Sequence, residues 1–177
     1  MRLFFVFLFI FYSCSNDPDD LKDFFPQENL PVEIVEGAEM VHTQGGVLKF
    51  KIIANTINRF KDLEPQIVFS NGFEIIFYTD SGLVKSVLKA HHGEIDKTNN
   101  IMIASDSVVL LSSEGKKLET QELIWDENKN QIYTDKRVII TTDKEIIEGE
   151  GFKSTPDFMQ YSISKIQGTF NFENRTD

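Results

Sequence analysis

The stretch from Gly115 to Gly168, GKKLETQELIWDENKNQIYTDKRVIITTDKEIIEGEGFKSTPDFMQYSISKIQG, alternates apolar and polar residues in short runs separated by charged or Asx-rich turns. A period of two places alternate side chains on opposite faces of an extended strand, so each run predicts a half-buried β-strand. Leu118 and Thr120 share one face, and Leu123 and Trp125 return to it after a one-residue slip at Gln121-Glu122. Such a slip predicts a bulge, because one extra residue restores the apolar side to the interior. Ile132 with Thr134, Val138 with Ile140, Ile147 with Gly149 and Gly151, and Tyr161 with Ile163 continue towards one shared apolar interior.

The same rhythm begins upstream. From Met40 onward the pattern reads as β, with Leu48, Phe50, Ile52 and Ala54 alternating against Lys49, Lys51 and Asn55. Asn71-Gly72, between Ile67–Ser70 and Phe73–Thr79, is a hairpin-turn dipeptide. Asp80-Ser81-Gly82 is a further turn leading into a strand over 83–95, and Ile101–Leu111 follows. About ten strands at intervals of roughly 8–12 residues predict an all-β sandwich or barrel. No segment sustains a helical period, which argues against a parallel βαβ sheet.

The amino terminus follows a different logic. Arg2 is followed by an unbroken apolar run from Leu3 to Tyr12, half the ~20 residues that a membrane span requires, so residues 1–13 read as an export signal. Phe11-Tyr12-Ser13-Cys14 resembles a bacterial lipobox, with Phe11 and Tyr12 standing where Leu and a small residue are usual. Cys14 is the single cysteine of the chain; it cannot staple a domain and sits where a lipid anchor would sit. This divides the chain into a signal peptide (1–13), a lipid-anchored tether and lead-in (14–39) and a β domain (40–174). The net charge of -10 disfavours nucleic acid, whose phosphates demand clustered Lys and Arg.

Reaction chemistry is hard to find. His91 and His92 lie near Glu94 and Asp96, but successive strand residues point to opposite faces, so the pair does not converge on a metal. Asp126-Glu127-Asn128-Lys129-Asn130 starts like a calcium loop, yet Gln131 replaces the required glycine and Arg137 the required glutamate. No G-x-S-x-G elbow, H-E-x-x-H helix or phosphate-binding glycine loop occurs. The expectation is no enzyme, no cofactor and no metal. Gly149 and Gly151 interrupt a strand, which marks either a bend in a twisted sheet or room left beside a groove or partner strand.

A series of short elements carries a family resemblance: Asp106-Ser107-Val108-Val109-Leu110, Gly115 to Leu118, Glu119-Thr120-Gln121-Glu122-Leu123, Trp125-Asp126, Thr134-Asp135, Val138, Gly149-Glu150-Gly151-Phe152 and Ile166-Gln167-Gly168. In order and spacing they resemble LptC, the membrane-anchored periplasmic component of the lipopolysaccharide export machine. The resemblance implies an open, twisted antiparallel β-jellyroll (the β-taco, OstA-like arrangement) with an apolar groove between two sheets. It implies a transport protein that receives lipopolysaccharide from an inner-membrane ABC transporter and passes it to a periplasmic bridge component by edge-strand pairing. Leu48, Phe50, Ile52, Leu110, Leu118, Leu123, Ile132, Val138, Ile140, Tyr161 and Ile163 would then line the acyl-chain groove, with Gly149, Gly151 and Gly168 as family-motif glycines. Family members usually keep an amino-terminal membrane helix; here lipidated Cys14 would replace it and hold the chain at the inner membrane. The alternatives are an outer-membrane surface lipoprotein that binds glycans or proteins, and a glycan hydrolase whose carboxylates converge only in three dimensions.

Overall fold

A computed structural model describes residues 30–61 and 63–167; Cys14 and Gly168 lie outside them. Ten strands are formed: β1 (Glu33–Gln44), β2 (Val47–Arg59), β3 (Ile67–Tyr78), β4 (Val84–Ala90), β5 (His92–Asp96), β6 (Ile101–Ser112), β7 (Lys117–Asp126), β8 (Gln131–Thr141), β9 (Ile146–Ser154) and β10 (Tyr161–Gln167). They make one antiparallel sheet in the order β1-β2-β3-β4-β6-β7-β8-β9-β10, with β5 beside β3 and β6. Both β4 and β5 pair with β3 on one side and β6 on the other. They are therefore two halves of one path, broken at His91, and the strand expected over 83–95 is bent rather than straight.

That break belongs to a line of irregularities crossing the whole sheet. Registers shift between Ala54 and Thr56, between Ser105 and Val108, between Thr120 and Ile124, and between Thr134 and Arg137. Gly72 N donates to the His91 carbonyl at 2.9 Å and His91 N to the Asp106 carbonyl at 3.0 Å, so the irregular residues of neighbouring strands adjoin one another. Positive φ angles at Gly37, Asn71, Gly72, Asp106, Ser107 and Gly151 fall on the same line. A bulge bends its strand and increases local twist; aligned bulges crease the sheet into two leaves.

The leaves face one another. Phe77 pairs with Ser86, and Trp125 pairs with Met102 and Ile132, yet the Phe77 and Trp125 rings are 5.0 Å apart. The Ser86 hydroxyl donates to the Pro156 carbonyl, and Lys116 Nζ to the Met159 carbonyl at 3.1 Å, again from one leaf to the far end of the other. The two layers implied by the sequence are thus leaves of one continuous sheet.

Two sequence expectations change. Asn71-Gly72 does not end a strand: β3 runs through it, and the dipeptide supplies the bulge, with φ of 63° and 100°. Asn55 Nδ2 donates to the Asn71 carbonyl at 2.6 Å and Asn71 Nδ2 to Thr56 Oγ1 at 3.2 Å, so neighbouring β2 holds the kink that a hairpin would have used as its turn. The β pattern also begins earlier than Met40. β1 starts at Glu33, where alternation is weak because an edge strand of exposed and half-buried residues shows no clean apolar face.

Candidate functional site

The space between the leaves is lined by alternate residues of every middle strand. Of the residues expected there, Ile52, Leu110, Leu118, Leu123, Ile132, Val138 and Ile140 are each no more than 2% exposed. Leu48, Phe50, Tyr161 and Ile163 are half-buried, and the last three pack against that core. The slip at Gln121-Glu122 works as anticipated: Leu118, Thr120, Leu123 and Trp125 are all buried across a register shift. Phe69, Ile75, Phe77 and Leu88 line the same interior. Their alternation along 67–77 and 84–90 carries the same signal as the residues downstream. Phe158 had no such signal, because it sits in the β9–β10 loop with φ of 56° and is fully buried. It packs at 5.5 Å against Phe152 and 5.4 Å against Tyr161.

Buried apolar side chains run from β2 to β9 and give way to partly buried ones towards both sheet edges. At the β1 end, Val35, Ala38, Met40 and Phe50 are partly buried against the core; at the β10 end, Ile147, Tyr161 and Ile163 are. β1 and β10 carry no further strand among the described residues. Ile34 and Val41 on β1, and Ile166 on β10, are exposed. Apolar side chains beside unpaired backbone are what an edge offers to another extended chain.

Glycine makes the β9–β10 edge possible. A Cβ at Gly149 would lie 2.5 Å from both Ile163 Cγ2 and the Lys165 carbonyl oxygen, so β10 occupies the room a side chain would need. Gly151 holds φ of 72° at the crease. Gly151 thus marks a bend, while the room at Gly149 is taken by the chain's own β10.

Most charged groups lie on the outer surface and at the rim. Arg137 Nε donates to Glu148 at 2.6 Å, and this bond lowers the Glu148 carboxyl and raises the guanidinium. Lys49 pairs with Asp80 at 2.7 Å and lowers it. Asp126 is the buried carboxylate among the described residues; Lys129 Nζ at 2.6 Å and Lys129 N at 3.0 Å hold its carboxyl below the usual range. It caps the turn that imitates the start of a calcium loop. His91 lies 3.7 Å from Asp106 and His92 3.2 Å from Glu94, so the two histidines take different partners. Among the described residues no three His, Cys, Asp or Glu side chains are grouped to hold a metal. Such an interior can shield an apolar chain from water; it presents no acid–base pair aimed at a bond.

A comparison with curated proteins gave no match. A family model described as LptC, lipopolysaccharide-assembly, LptC-related, matches residues 2–161. The chain belongs to the LptC family. Membership makes it a non-enzymatic component of lipopolysaccharide transport and assembly, periplasmic and associated with the inner membrane, with lipopolysaccharide and the Lpt machinery as partners. The reading as a glycan hydrolase falls with it.

Proposed function

We propose that this LptC-family chain receives lipopolysaccharide from an inner-membrane ABC transporter and passes it to a periplasmic bridge protein, its acyl chains sheltered between the two leaves. The observation that supports this most is the continuity of the apolar interior across the sheet, from half-buried Phe50 beside β1 to half-buried Tyr161 and Ile163 at β10. A groove opened along the crease would enter at one edge and leave at the other, so a partner strand added to an edge would extend the conduit. Burial drives this step without direction or reaction, at about 25 cal/mol per Å² of apolar surface. Fully buried Leu110, Val138 and Ile140 would line the path once the leaves part. Cys14 would anchor the chain, with residues 1–13 the signal peptide, the tether ending before β1 at Glu33, and the sheet from β1 onward the transport domain.

A photo-crosslinking amino acid at Phe50 or Tyr161, where the interior meets solvent, should form an adduct with lipopolysaccharide in cells. Absence of an adduct at both, with adducts on outward-facing Lys89 instead, would sink the groove. The anchor is tested separately: Cys14→Ser should move the protein from the membrane fraction to the soluble one and abolish labelling by a fatty-acid analogue.

A further inference from the structure

Trp125 is the only tryptophan of the chain. It is 7% exposed, and its indole Nε1–H has no hydrogen-bond partner among the described residues. Buried donors are nearly always paired, so an unpaired one marks a place where an acceptor belongs. Three buried hydroxyls of the interior donate within the protein. Ser86 donates to the Pro156 carbonyl, Thr120 to the Arg137 carbonyl at 2.9 Å, and Ser154 to the Gln160 carbonyl at 2.9 Å. Arg59 Nε, also unpaired by hydrogen-bond geometry, lies 3.3 Å from a Glu33 carboxylate oxygen.

The surroundings of Trp125 are aromatic and lie close to the β1 edge. The Phe50 and Phe77 rings stand nearly perpendicular to its ring, with centroids 4.8 and 5.0 Å away. Phe50 is itself stacked by His42 of β1 at 4.6 Å, and His42 Nε2 lies 3.6 Å from Glu127 Oε1. His42 and Glu127 are both substantially exposed. The indole therefore sits one ring beneath a surface pair, at the end of the interior where β1 leaves the sheet open. Phe50 and His42 are the side chains that an incoming chain would displace.

We infer that the Trp125 indole N–H donates a hydrogen bond to an acyl oxygen of the bound lipid, an ester or amide carbonyl or a hydroxyl close to the head of the chain. This rests on the proposal that acyl chains enter between the leaves. It adds a register to that groove. Apolar burial is non-directional and lets a hydrocarbon slide, whereas one donor in an apolar wall favours the position that brings an oxygen to it. Trp125 is thus a residue that selects oxygen-bearing acyl chains over bare hydrocarbon.

A single tryptophan gives a single indole N–H cross-peak in a proton–nitrogen correlation spectrum of the full chain. Rough lipopolysaccharide dispersed in dodecylphosphocholine should move that proton downfield and slow its exchange with solvent, while dodecylphosphocholine alone, whose alkyl chain has a phosphate head but no carboxylic ester, amide or hydroxyl oxygen, should not. Trp125→Phe, which keeps an aromatic ring and loses the donor, should bind lipopolysaccharide about fivefold more weakly by calorimetry. Lipopolysaccharide binding with the indole proton unmoved or shifted upfield overturns the role of Trp125 and leaves the groove standing. No binding of lipopolysaccharide at all overturns both. Should Trp125→Phe fail to fold, the wild-type spectrum decides alone.

Discussion

A methyl group added at Gly149 would lie 2.5 Å from the backbone oxygen of Lys165, which cannot swing away as a side chain can. Gly149→Ala should therefore destabilise the protein by about 1–3 kcal/mol in urea denaturation, the usual cost of overpacking. The loss should be felt first in the amide exchange of β10. Asp126 makes a pH-dependent contribution of definite sign. Lys129 depresses its folded pKa, so the stabilisation is present at neutral pH and is lost as pH falls through the depressed folded value, below the ordinary range near ~4. The gap between the urea midpoints of wild type and Asp126→Asn should be larger at about pH 7 and narrow as pH falls below ~4; a gap that stays the same as pH falls would contradict the assignment.

At the scale of the element, the crease explains why so many strands carry polar or glycine residues mid-length. Asn71-Gly72, Asp106-Ser107 and Gly151 each take positive φ where their strand turns from one leaf to the other. Such angles cost a β-branched residue steric strain that glycine avoids. Gly72→Val should lower stability by about 1–3 kcal/mol and spread to β2, because Asn55 and Thr56 are hydrogen-bonded to Asn71. The leaves are held together on the other side by aromatic contacts. Phe77, 4% exposed and meeting both Phe50 and Trp125, is the clearest bridge between them. Truncation to Phe77→Ala should cost about 3–5 kcal/mol in the same denaturation experiment and shift the emission of Trp125 to the red as water approaches the indole. Unchanged emission would mean that the leaves do not meet there.

Over the whole molecule, stability should grade from centre to edge. β6 and β7 are paired on both sides and carry fully buried Leu110 and Leu118, whereas β1 and β10 are each paired on one side among the described residues. Native-state hydrogen exchange should find the slowest amides in β6 and β7 and the fastest in β1 and β10. Such a gradient would fit the proposal that partner chains add at the edges. Protection of β1 equal to that of β7 would remove this reading of the edges.

Much of this was legible from residue order. Period-two alternation is a local consequence of strand geometry, so it marked the strands, the bulge at Gln121-Glu122 and the inward set Leu118, Leu123, Ile132, Val138 and Ile140. The ordered family motifs pointed to lipopolysaccharide transport without coordinates. Other features depend on which strands lie side by side, and alternation within one strand carries no such information. Asn71-Gly72 has the same intrinsic preference in a hairpin and in a bulge; only Asn55 of β2, sixteen residues away in the chain, makes it a bulge. That the bulges align into one crease, that Phe158 enters the core from a loop, and that Phe50, Phe77 and Trp125 meet across the leaves were decided by the tertiary structure. Each is a contact between residues distant in sequence, fixed by the pairing and folding of the whole sheet.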